Sequence, residues 1–142
     1  MNIEFGRCCL RISSELYLHL KKAVNKESIE SDVTQITVNF RDSSYSVSAG
    51  GYHPVEISFQ KDASNGEWLL LYITDFSYCS SPYPELIKEV DFDFSSRTFY
   101  LVNASPMFIN RSTVRDFYRT WENNFLAYLE FDAYDQIEVS AY

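Results

Sequence analysis

Glycine and proline are scarce, four of each in 142 residues, which excludes a loop-dominated or collagen-like chain. No apolar run approaches the roughly 20 residues that a helix needs to cross a bilayer. Cations are outnumbered: 12 Lys and Arg stand against 20 Asp and Glu, a formal net charge of −8. That balance argues against a nucleic-acid partner, whose phosphates need clustered Lys and Arg, and against an anionic membrane surface. Cysteine is limited to Cys8, Cys9 and Cys79. An adjacent pair and a distant third form no disulfide framework and read as buried or half-buried thiols. The start, Met1-Asn-Ile-Glu-Phe-Gly-Arg, carries an early acid and no continuous apolar stretch. No secretory signal is expected from it, and the expected location is the cytoplasm.

Aromatic residues are abundant, 17% of the chain, with eleven Tyr, eleven Phe and two Trp. Such side chains bury large areas and favour strands, so one domain over residues 1–142 with a sizeable core is expected. The negative charge is uneven. Asp75, Glu85, Glu89, Asp91 and Asp93 cluster with only Lys88 among them, and residues 112–142 are again acid-rich. Two such segments can sum their fields toward a cationic partner, or simply keep the protein soluble.

Hydrophobic periodicity divides the chain. Leu16, Leu20, Ala23 and Val24 recur at helical spacing, which predicts a helix from Ser13 to about Glu27 capped by Ser13 or Ser14. Ile36, Val38 and Phe40 alternate with polar residues, as do Val55, Ile57 and Phe59, so each set predicts a half-buried strand. Asn65-Gly66, a strong hairpin signal, separates the second strand from a return over Trp68–Phe76. A turn over Ser80–Pro84 leads to a strand through Ile87, Val90, Phe92 and Phe94, which returns over Thr98–Val102. Residues 112–129 predict a second helix, with Val114, Phe117, Trp121, Leu126 and Leu129 on its apolar face and Ser112 or Thr113 as cap. The alternating tail at Ile137–Tyr142 predicts a last strand. This order reads as an α+β fold, an antiparallel sheet flanked by N- and C-terminal helices.

The chemistry-bearing residues are few. His53, between Gly51 and Pro54, with Glu56 and Asp75 further on, can serve as a general base near neutral pH, yet no nucleophile stands in a recognisable frame. A structural histidine at a strand start is the plainer reading. His19 follows Glu15 by four residues, a helix-surface pair. Asp91-Phe92-Asp93-Phe94 places two carboxylates on one strand face and two rings on the other. The carboxylates form either a solvent face or a pair able to hold a divalent cation. Gly50-Gly51 lacks a following Lys-Ser/Thr and is no phosphate loop. No catalytic, metal-binding or cofactor-binding residue is assigned on this basis, and no cofactor is expected.

Several strings together, Asn39-Phe40-Arg41-Asp42, Ala49-Gly50-Gly51-Tyr52-His53-Pro54-Val55-Glu56-Ile57, Tyr72-Ile73-Thr74-Asp75-Phe76-Ser77-Tyr78, Pro84-Glu85-Leu86 and Asp91-Phe92-Asp93-Phe94, resemble an uncharacterised bacterial family. That family is known mainly from Vibrio and related gammaproteobacteria, with members on a Vibrio pathogenicity island. Its fold is similar to that of the mitochondrial acidic matrix proteins, also called the mitochondrial glycoprotein family. The resemblance implies a strongly twisted antiparallel sheet of about seven strands with helices from both chain ends packed on it. It also implies an acidic module that binds protein partners and is able to oligomerise, with no catalytic residue to carry over. The chain lacks the long acidic inserts of the mitochondrial proteins.

The expectation is therefore a non-enzymatic interaction protein that engages a basic or mixed protein surface through Asp75, Glu85, Glu89, Asp91 and Asp93. Two rivals stand beside it. One is a small hydrolase or metal-dependent enzyme built on His53, Asp75, Asp91 and Asp93, which requires those groups to converge in one cleft. The other is a self-assembling subunit, a homo-oligomer, in which the aromatic face of residues 117–129 continues across an interface and which exposed Trp121 and Phe125 on the single chain would favour.

Overall fold

Ser13 opens the first helix. Its backbone is extended (φ −64°, ψ 140°), and its hydroxyl accepts a hydrogen bond from the Glu15 N–H at 3.1 Å. The helix, α1, runs Ser14–Asn25 and buries Leu16, Leu20, Ala23 and Val24, the stripe its periodicity marks. The structure, a computed structural model, describes residues 1–79 and 84–142. The turn expected at Ser80–Pro84 lies, Pro84 apart, outside the described residues.

The remaining elements are β1 (Gln35–Arg41), β2 (Val55–Lys61), β3 (Trp68–Cys79), β4 (Glu85–Asp93), β5 (Thr98–Leu101), β6 (Met107–Phe108), α2 (Ser112–Glu130) and β7 (Gln136–Ala141). The strands form one open antiparallel sheet in the order β6-β5-β4-β3-β2-β1-β7. The chain meanders from β1 to β6, crosses back along α2, and adds its tail to the outer edge of β1. The fold is α+β, with a helix from each end of the chain. No described helix is long and apolar enough to cross a membrane.

Register explains why one face carries the helices. Val139, Val38, Ile57, Ile73, Phe92, Phe99 and Met107 are paired in succession across all seven strands. Of these, Val38, Ile57, Ile73 and Phe92 are wholly buried. The helices close over this face through rings: Phe40 packs edge-on to Phe125 at 5.2 Å, and Phe92 edge-on to Tyr118 at 4.9 Å. Phe5, stacked on Tyr17 of α1, also meets Phe59 of β2. Each fully buried Phe contributes about 1.5–3 kcal/mol by area alone.

Local details differ from the sequence reading at four places. The β2–β3 hairpin is connected by residues 62–67, because Lys61↔Trp68 is its last pair, and Asn65-Gly66 forms only the end of that loop, with Gly66 at φ +76°. The cap of α2 is Arg111, without a side-chain cap bond, so Ser112 and Thr113 lie inside the helix. Strand β6 was not expected. Two bulges interrupt the pairing of β3 with its neighbours: Leu71 of β3 is inserted opposite Ser58 and Phe59 of β2, and Glu89 of β4 is inserted opposite Asp75 and Phe76.

Candidate functional site: a histidine–carboxylate cleft under α2

The loop that delivers His53 is built on Asp42. Its carboxylate accepts hydrogen bonds from the Ser44 N–H, the Ser44 hydroxyl and the Tyr52 N–H. Gly51 follows at φ +133°, where a Cβ would stand 2.8 Å from the Asp42 carboxylate and 3.0 Å from the Tyr45 Cα. Only glycine fits such a backbone and such a space. Pro54 then leads straight into β2.

His53 thereby faces the helix side of β3 and β4. Its Nδ1 lies 2.9 Å from Asp75 Oδ1 and 3.0 Å from Glu89 Oε2. Asp75 occupies the last regular helix-side position of β3, opposite Val55 and Val90. Glu89 is the inserted residue of the bulge. Strict alternation would send it to the other face with Asp91, and the bulge turns it back. From above, the Trp121 indole N–H of α2 donates to Asp75 Oδ2 at 2.9 Å. The three groups border a cavity of about 320 Å³ whose wall includes Tyr52, Phe117, Trp121, Asn124, Phe125, Tyr128 and Tyr134. The hydrogen bond to Asp75 raises the His53 pKa above its ordinary value; burial opposes this, and the charges of Asp75 and Glu89 add to it. The Tyr134 phenol in the wall is pushed far up, first by burial and then by Asp75, and stays protonated.

The other face of the sheet is polar. One cross-strand row reads Glu138, Asn39, Glu56, Thr74, Asp91, Tyr100, and the next reads Ser140, Thr37, Ser58, Tyr72, Asp93, Thr98. Side chains bond along and between these rows: Thr74 to Asp91 at 2.7 Å, Tyr72 to Glu56 at 2.5 Å and Thr37 with Ser58 at 3.0 Å. Lys88 reaches this face, with Nζ 3.7 Å from Asp91.

Comparison with known proteins adds identity without a reaction. Residues 14–140 match the family described as protein of unknown function, DUF2787. The chain belongs to the DUF2787 family. Its fold and 36% of its sequence are shared with the hypothetical protein VC0508 from the VSP-II pathogenicity island of Vibrio cholerae. That match has a TM-score of 0.91 and covers 99% of this chain and 100% of that one. VC1805, from pathogenicity island VPI-2 of the same species, is also 36% identical, with a TM-score of 0.84 over 96% of this chain and 99% of its own. VC1805 is described as sharing structural homology with the human P32 protein, of the mitochondrial glycoprotein family. No protein of curated function matches.

Within this DUF2787 chain the sequence-derived site residues separate. His53 and Asp75 meet, and Glu89 joins them. Asp91 and Asp93 lie on the opposite sheet face, where Asp93 accepts from the Ser95 hydroxyl and the Ser96 N–H, so the enzyme constellation of His53, Asp75, Asp91 and Asp93 does not assemble. Glu85 is exposed at the start of β4. The single acidic patch expected from all five carboxylates is therefore two groups on opposite faces plus an exposed strand end. Trp121 is half-buried and Phe125 wholly buried, so the exposed pair that would favour self-assembly is not formed, although Phe117 of the same helix is 37% exposed. His19 pairs with Glu130 of α2 at 3.8 Å, an interhelix contact in place of the expected partner Glu15. Cys8 is half-buried, its thiol pushed up to about 11 chiefly by burial, whereas Cys9 is exposed.

One buried charge escaped the sequence reading. Glu122 sits in the core face of α2, 7% exposed, and accepts from the Tyr118 hydroxyl at 2.6 Å and from the Ser13 N–H at 3.1 Å. The available signal was an acid four residues after Tyr118 in the middle of an apolar helical face.

Proposed function

We propose that this DUF2787 protein is a non-enzymatic interaction module that docks a basic or mixed protein surface on its helix-free sheet face. The observation that carries this reading is the pair of polar cross-strand rows. They place Glu56, Asp91, Asp93 and Glu138 on one side of the sheet with no cation inside either row. A predominantly acidic face of this kind, with Lys88 and Arg41 only at its margins, steers a cationic partner and raises its association rate. Six strands at about 4.8 Å spacing span about 24 Å, which suits an interface at the small, rapidly exchanging end of the range. The fold shared with VC1805, and through it with P32, supports a binding role, as analogy.

The test compares two sets of neutralised proteins, each losing the same charge. One set is Glu56→Gln, Asp91→Asn, Asp93→Asn and Glu138→Gln; the control set is Glu4→Gln, Glu27→Gln, Glu30→Gln and Asp32→Asn. A partner captured from source-cell lysate at about 0.05 M and about 0.5 M salt is then measured for association rate against each. The open-face set is expected to bind about tenfold more slowly at low salt and with a flatter salt dependence, and the control set nearly normally. Equal rates for both sets would remove the open face from the reading.

A further inference from the structure

We propose that His53, Asp75 and Glu89 form a binding site for a divalent transition-metal ion of the zinc class. This site lies across the sheet from the docking face, so its test stands or falls apart from that reading. His53 Nδ1, Asp75 Oδ1 and Glu89 Oε2 all lie within 4.8 Å of one another, with the nitrogen 2.9 and 3.0 Å from the two oxygens. Tetrahedral zinc bonded to N and O at about 2.0–2.1 Å sets its ligand atoms about 3.3 Å apart. The nitrogen reaches that spacing from each oxygen by opening a few tenths of an ångström, and the 4.8 Å bound on the group keeps the two oxygens within reach of one ion.

Donor chemistry narrows the class. One imidazole and two carboxylates suit Zn²⁺, Mn²⁺, Fe²⁺, Co²⁺ or Ni²⁺; the nitrogen disfavours Mg²⁺ and Ca²⁺, and the lack of sulfur disfavours Cu⁺. Two carboxylates also balance the charge of the ion. The supporting structure fits a metal centre as well. The Trp121 indole N–H holds the second oxygen of Asp75, as outer-shell donors fix a ligating carboxylate. Glu89 reaches the group only because a bulge sacrifices regular pairing in the middle of the sheet. The adjoining cavity leaves the fourth position open, the arrangement of sites that hold a water or a small ligand on the metal.

The probes are Zn²⁺ by calorimetry, and Co²⁺ by its visible bands and by quenching of tryptophan fluorescence, with the intact, reduced protein. The expected result is one ion per chain, with quenching of Trp121, whose ring touches a ligand. His53→Gln and Glu89→Gln each remove a ligand atom and are expected to weaken binding by more than the roughly 10–100-fold that losing an outer-shell partner costs, while circular dichroism stays native. Glu89→Gln guards against a His53 variant that fails to fold. Trp121→Phe is expected to weaken binding less, because all three ligands remain. His19→Gln and the Cys8→Ser/Cys9→Ser double variant are expected to bind normally. Absence of saturable binding up to about millimolar ion, or binding that survives His53→Gln and Glu89→Gln, would overturn the site. Binding lost only with the thiols would do the same.

Discussion

Glu122 offers the sharpest test of how the two terminal helices are joined. Its carboxylate is buried and holds two donors on one oxygen, the Tyr118 hydroxyl at 2.6 Å and the Ser13 N–H at 3.1 Å. Ser13 is the cap of α1 and Tyr118 lies in α2, so one side chain ties the start of one helix to the middle of the other. Replacing Glu122 by Ala removes two hydrogen bonds to a charged acceptor, each worth about 1.5–3 kcal/mol, and strands both donors. An adjoining cavity lined by Ser13, Tyr118 and Glu122 lets water reach those donors, so the lower end of each range applies. The expected loss is about 3 kcal/mol, or about 12 °C in Tm at about 4 °C per kcal/mol for a chain of this size. Urea unfolding and calorimetry of Glu122→Ala, Tyr118→Phe and the double variant measure it. The cycle is expected to return a coupling of about 1.5 kcal/mol between the two side chains. Glu122→Gln, which keeps an uncharged acceptor, is expected to fall between wild type and Ala. A loss under about 1 kcal/mol for Glu122→Ala, or no coupling, would refute the reasoning.

Two further outcomes follow from the core and the loop. Phe92, wholly buried against Phe99, Phe117, Tyr118 and Trp121, is expected to cost about 3–5 kcal/mol when cut to Ala, measured by urea unfolding; a cost under about 1.5 kcal/mol would mean that α2 does not bear on the sheet there. Hydrogen bonds from Ser44 and Tyr52 hold the Asp42 pKa below its ordinary value of 3.8, so its ionised form stabilises the fold above pH 3.8 and that contribution is lost as pH falls through the lowered pKa. The stability gap between wild type and Asp42→Asn is therefore expected to shrink on acidification below about pH 4, and a gap independent of pH would sink this account.

Much of the fold was legible because its signals are local. The stripe of Leu16, Leu20, Ala23 and Val24 predicts α1, and the alternations through Val38, Ile57 and Phe92 predict three strands whose register then forms the core row. What escaped was non-local or too short. Strand β6 has two residues, below any period, and exists only because Thr98 and Phe99 offer it partners. The tail reads as a strand, but its place beside β1 depends on a chain reversal nearly a hundred residues long. Arg111 caps α2 without a side-chain bond, so that helix begins where burial of Val114 begins to count and not where a hydroxyl marks a start.

The site was half legible, and the reason lies in the bulge. His53 and Asp75 are visible as a base and a carboxylate, but the bulge at Leu71 is what keeps Asp75 on the helix side, because pairing counted on from Lys61↔Trp68 without it would turn Asp75 to the other face. Glu89 is another matter. Alternation counted from Asp91 and Asp93 assigns all three acids to one face, and only an inserted residue moves Glu89 across. The same geometry undoes the charge count along the chain. Residues 75–95 look like one acidic run, yet the sheet sends Asp75 and Glu89 to one side and Asp91 and Asp93 to the other. It then joins Asp91 and Asp93 to Glu56 and Glu138, from strands far away in sequence. Thr74, Tyr72 and Ser95 donate to three of those four carboxylates, which offsets the repulsion of holding them on one face. Charge on a sheet accumulates across strands through register, so the acidic sheet face of this protein is a property of pairing, and a one-residue slip in β4 would dissolve that face and the cleft together.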